Sequence, residues 1–131
     1  MILVDTSVLI DFFKGAKTEG SRKFDMVLQR GIPFGINSFI LQEVLQGAGS
    51  EKEFSLLRKY LSTQRFYDLK DPVDSFINAA RLYMDCRKKG ITIRSTIDCL
   101  IAETVLEHDL FLLHNDNDFK AMARVIPLKF F

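Results

Sequence analysis

Nothing in this 131-residue chain approaches the roughly 20 consecutive apolar residues that a membrane-crossing helix needs. No basic leader precedes the first apolar run, so a secretory signal is not expected. Cysteine is scarce: the only two, Cys86 and Cys99, fall in helical patterns where buried free thiols are the commoner fate. Nothing therefore suggests secretion, and the expected location is cytoplasmic. Charge of either sign is not in excess, since 18 Lys and Arg against 17 Asp and Glu leave +1. Global electrostatics do not announce a nucleic-acid binder, although a compact site needs only local positive charge. Internal repeats, low-complexity segments and linkers are missing as well. What is present is a chain with 47% hydrophobic residues, expected from its length to form one domain over residues 1–131. At that size it can bury roughly two-thirds of its unfolded surface without metals or disulfides as staples. The twelve phenylalanines mostly recur at apolar-periodic positions and are expected in the core rather than as stacking platforms.

The front of the chain organises the rest. Ile2-Leu3-Val4 reads as a fully buried strand, and Thr6 or Ser7 can cap the helix that carries Val8, Leu9 and Ile10. Asp5 then stands at the carboxyl end of the first strand, the edge at which open α/β sheets bind ligands. An equal alternative is that Asp5 only caps the helix or starts a turn. A helix is predicted over 21–30, a strand over 32–36 with Pro33 near its start, and helices over 38–46 and 51–61. A further strand is expected over 66–69. Asp71-Pro72 opens a helix running to Lys89, with Val73, Phe76, Ile77, Ala80 and Met84 in helical period. Ser95 opens the next, followed by strands over 110–113 and 125–131 around a short helix. Strands alternate with helices throughout, which makes the fold class α/β with a mostly parallel sheet.

Acidic residues recur where such a sheet would gather them. Asp5 and Asp116 follow strands, Glu43 lies in the second turn of a helix after a strand, and Asp98 lies in the first turn of another. Carboxylates brought together without a cation repel one another and have raised pKa values. A hard divalent ion, Mg²⁺ or Mn²⁺, relieves that conflict and suits phosphodiester hydrolysis. Each residue keeps a plainer reading. Ser95 to Asp98 has capping-box spacing, Glu43 lies off the apolar stripe of its helix, and Asp116 and Asp118 sit in a sequence any turn could have. Asp98 borders the apolar face of its helix, which favours a functional role, whereas Glu103 points further away and reads as a solvated charge.

Four motifs in order resemble the PIN-domain family, and within it the VapC-type toxins of toxin–antitoxin pairs. They are Val4-Asp5-Thr6-Ser7-Val8-Leu9-Ile10-Asp11, the helix carrying Glu43, Arg94-Ser95-Thr96-Ile97-Asp98-Cys99-Leu100-Ile101-Ala102, and His114-Asn115-Asp116-Asn117-Asp118-Phe119. The resemblance implies a PIN-like three-layer fold with a mostly parallel central sheet flanked by helices. It implies a metal-dependent endoribonuclease that uses Mg²⁺ or Mn²⁺, acts on RNA, forms a homodimer and is neutralised by a small antitoxin. By the same likeness Asp5, Asp98 and Asp116 are the metal ligands, Glu43 helps bind metal or orient the attacking water, and Thr6 and Asp118 support them. His114 stands where the family commonly has threonine or serine. Arg94 is the preferred phosphate contact, while Arg87, Lys88 and Lys89 read first as favourable charges near a helix C-terminus. Phe13, Leu56 and Tyr60 are candidates to receive an antitoxin peptide, with core packing the plainer reading of each. The alternative is a catalytically silent PIN-fold module that binds RNA or a partner.

Overall fold

A computed structural model describes all residues, 1–131. The elements run β1 (Ile2–Val4), α1 (Thr6–Phe13), α2 (Glu19–Gln29), β2 (Phe34–Ile36), α3 (Ser38–Gln46), α4 (Glu51–Leu61) and β3 (Arg65–Phe66). They continue with α5 (Asp74–Lys88), α6 (Thr96–Glu107), β4 (Phe111–Leu113), α7 (Asn117–Met122) and β5 (Lys129–Phe130). The strands form one sheet in the order β3-β2-β1-β4-β5, and every pairing is parallel. Leu3 is aligned with Gly35 on one side and Leu112 on the other. As the middle strand, β1 has neighbours on both edges and helices over both faces, and Ile2, Leu3 and Val4 are all buried.

From β1 the chain steps outward to β2 and β3, then crosses back to β4 and β5. Right-handed crossovers put α1–α4 on one face and α5–α7 on the other. The strand order reverses between β1 and β4, the switch point at whose carboxyl ends open α/β sheets form their ligand crevice. A helix feeding a parallel strand runs back along the sheet, so the amino terminus of α6 returns to that same edge. Asp5 N–H extends the ladder by donating to Leu113 O at 2.9 Å, which holds the residues after β1 and β4 side by side.

Several sequence expectations change here. The strands expected over 66–69 and 125–131 shorten to Arg65–Phe66 and Lys129–Phe130, and α5 starts at Asp74 rather than at Asp71-Pro72. On α5 the buried face is Ser75, Ala79, Leu82 and Cys86, while Val73, Phe76 and Ile77 are exposed. The phenylalanines also divide: Phe24 and Phe119 are fully buried, but Phe13, Phe54, Phe76, Phe111 and Phe130 are exposed. The core is instead dominated by aliphatic residues of β1, β4, α1 and α6.

Candidate active site

Asp5, rather than Thr6 or Ser7, is the N-cap of α1. Its Oδ2 accepts from the Ser7 amide at 3.1 Å and from the Ser7 hydroxyl at 2.5 Å. Both bonds fall on one oxygen, so the capping duty and a duty toward the crevice are compatible in one carboxylate. Thr6, next in the chain and buried, donates from Oγ1 to Oε1 of Glu43 at 2.8 Å. That bond ties α3 to α1 across the crevice. Asp98 is in the first turn of α6, and Ser95 makes no side-chain cap there, so the capping-box alternative for this acid falls away. Asp116 caps α7 by accepting from the Asp118 amide at 2.8 Å.

Ligand oxygens of Asp98, Asp116 and Asp118 all lie within 4.8 Å of one another. Asp5 and Glu43 lie outside that tight group but within electrostatic reach of it. Burial pushes the Asp5 carboxyl up to about 6, with Ser7 pulling it down and Glu43 and Asp116 pushing it further up. Asp98 stands at about 7, raised first by burial and then by Asp116, Asp5, Asp118 and Glu43. The shifts record first the burial of these carboxyls and then negative charge without compensation. Five acids supplying only oxygen ligands are a donor set suited to a hard divalent cation.

Two basic residues stand at the rim. The Arg94 guanidinium pairs with Asp118 through Nε at 3.3 Å and Nη2 at 3.4 Å, while its side chain remains 76% exposed. Burial lowers the pKa of His114, against the pull of Asp116. Its Nδ1 accepts from the Asp116 amide at 3.0 Å, so the neutral ring carries its proton on Nε2. Arg87, Lys88 and Lys89 are exposed at the carboxyl end of α5.

Sequence reasoning passed over Asn115, which locks this edge together. Its Oδ1 accepts from Gly20 N–H at 2.9 Å, and its Nδ2 donates to Asp11 at 2.9 Å and Thr18 at 2.7 Å. Its own amide donates to the Ser7 hydroxyl at 3.0 Å. Gly20 was the available signal, because a Cβ there would stand 2.3 Å from Asn115 Oδ1. Away from the crevice, Phe13, Leu56 and Tyr60 come together with Leu57 and Glu53 around a hollow of about 350 Å³ between α1 and α4.

The family model for the PIN domain matches residues 2–125. Ribonuclease VapC11 of Mycobacterium tuberculosis is 29% identical over 130 residues, covering 98% of this chain and 96% of its own length. Ribonuclease VapC4 of the same organism is 32% identical over 128 residues, covering 94% and 92%. Among solved structures, VapBC2 from Rickettsia felis, bound to a DNA fragment from its promoter, aligns with a TM-score of 0.71. That alignment has 20% identity and covers 100% of this chain and 98% of the other, a likeness of fold.

Proposed function

Since the chain belongs to the PIN-domain family, we propose that it is a metal-dependent endoribonuclease and the toxin of a toxin–antitoxin pair. The observation that carries the reading is the group formed by Asp98, Asp116 and Asp118 at the sheet's switch point, with Asp5 and Glu43 beside it. The names of relatives that match nearly end to end support it. Mg²⁺ or Mn²⁺ held there would polarise a phosphoryl oxygen, lower the pKa of a water and neutralise the leaving oxygen.

The chain's own side chains prepare that chemistry. Asp5, Asp98 and Asp116 are the proposed ligands, with Asp118 close enough to join them. Ser7 holds Asp5 in one orientation. Thr6 occupies Oε1 of Glu43, leaving Oε2 to accept a hydrogen bond from the attacking water and draw it toward the phosphorus. Arg94 binds Asp118 through Nε and Nη2, which leaves Nη1 to meet a phosphate oxygen of the RNA.

Two apolar surfaces are proposed for the protein partners. The hollow lined by Phe13, Leu56, Leu57 and Tyr60 would seat an apolar segment of the antitoxin. The exposed face of α5, with Val73, Phe76 and Ile77 beside an apolar hollow of about 410 Å³, would pair with a second copy of the chain.

The test is cleavage of RNA by purified protein in Mg²⁺ or Mn²⁺. Cleavage should cease with EDTA and fall by several powers of ten in Asp5→Asn, whose circular dichroism stays that of the parent. Cleavage indifferent to both changes would overturn the assignment.

A further inference from the structure

A second pocket adjoins the acids and is chemically unlike them. It has a volume of about 320 Å³ and is walled by Lys23, Lys120, His114, Asn117 and Phe130, among others. Asn115 and Asn117 both line it and Asp116 lies between them, so the pocket and the acid group share one loop. The Asp116 amide donates to His114 Nδ1 at 3.0 Å, which sets a wall of the pocket against the acid-bearing loop.

Asn115 is engaged by the fold and Glu19 brings a carboxylate to the rim, but other polar groups of this pocket are not used up. Lys120 is exposed and belongs to none of the ion pairs in the protein. Lys23 is partly engaged, with Glu19 at 3.3 Å and the main-chain oxygen of Phe131 at 3.0 Å. His114 accepts through Nδ1 and so has an N–H on Nε2 to offer. The Asn117 amide can both donate and accept. Phe130 is 37% exposed, and its ring is braced edge-on by His114 with 4.5 Å between centroids. A braced ring, donors of fixed direction and a free ammonium are what an unstacked nucleotide needs. The volume is at the lower end of the range for small organic ligands, suited to one nucleotide and too small for a duplex.

We propose that this pocket binds the nucleotide of single-stranded RNA next to the scissile phosphodiester. Lys120 takes its phosphate, Phe130 stacks on its base, and His114 Nε2–H and the Asn117 amide read the base edge. The inference rests on the nuclease reading for its place beside the cut, but its binding step requires no catalysis.

The four ribonucleoside 5′-monophosphates, titrated into the full chain in EDTA and followed by amide chemical shifts, test it. Shifts should centre on residues 114–120 and on Lys23. Lys120→Ala should weaken all four about tenfold, one lost charge-assisted contact being worth about 1.4 kcal/mol. Lys120→Arg should restore most of the affinity, and Asn117→Ala should narrow the differences among the four. In cleavage assays Lys120→Ala should raise KM more than it lowers kcat. Equal binding to Lys120→Glu, or shifts confined to another surface, would overturn the proposal. So would displacement of bound nucleotide by neither RNA nor its non-cleavable analogue. Nucleotide binding by a protein that cleaves no RNA would leave the pocket standing and refute only the nuclease reading.

Discussion

Asp5 and Asp98 take up a proton at a higher pH in the folded chain than an ordinary aspartate does in an unfolded one. Their values of about 6 and about 7 compare with 3.8 unperturbed. Between these limits the folded state holds more protons than the unfolded state, so raising the pH through this window lowers stability. In EDTA the melting temperature should therefore fall between pH 5 and pH 8, and Asp98→Asn should remove much of that fall. Added Mg²⁺ should raise the melting temperature more at pH 8 than at pH 5, because only ionised carboxylates hold it. A scanning-calorimetry profile that is flat in both respects would contradict the uncompensated-charge account. Thr6 gives a second expectation at this scale. Thr6→Val removes the bond to Glu43 and should lower kcat by about 10- to 100-fold, whereas Thr6→Ser should stay near the parent.

At the scale of elements, α5 and α6 teach the most. The apolar stripe through Val73, Phe76 and Ile77 was legible as helical period, but period alone does not say which face meets the sheet. Small residues decided it: Ser75 and Ala79 let α5 approach α6 closely, and the larger stripe was left outside. Glu103 went the other way. Expected in solvent, it is buried between these helices, and burial together with a hydrogen bond to Glu107 raises it to about 7. Oε2 of Glu107 is buried without a hydrogen-bond partner, which a proton on Glu103 would supply. The same proton logic applies, and Glu103→Gln should raise the melting temperature at pH 8 and change it little at pH 5. Gly20 on α2 supplies a steric expectation. Gly20→Ala must displace Asn115 and break its bonds to Gly20, Asp11 and Thr18, a loss of about 1–3 kcal/mol in urea unfolding.

The whole molecule presents three separate surfaces: the acid-lined crevice with the pocket adjoining it, the trough between α1 and α4, and the bare side of α5. Changes to one should leave the others intact, since no residue lining the two apolar hollows belongs to the acid group. Ile77→Glu places a charge in the proposed self-contact and should shift the protein from dimer to monomer in light-scattering chromatography. Leu56→Glu, at a position already 60% exposed, should abolish antitoxin capture while RNA cleavage persists. An antitoxin that still binds this variant with parental affinity would place its site elsewhere.

Alternating periodicities and caps were enough to establish the α/β class and the order of the elements, and to mark Asp5, Glu43, Asp98 and Asp116 as candidates. Those are properties of neighbours along the chain, where helix and strand geometry act over a few residues. Local pattern could not say that Asp118 would stand with Asp98 and Asp116, that Arg94 would be held by an acid, or that Asn115 would bind two helices to a loop. Each of these depends on which strands become neighbours. Placing β1 between β2 and β4 brought residues a hundred positions apart into contact, because packing compares whole faces and selects the arrangement that buries the most apolar surface with the fewest unpaired polar groups.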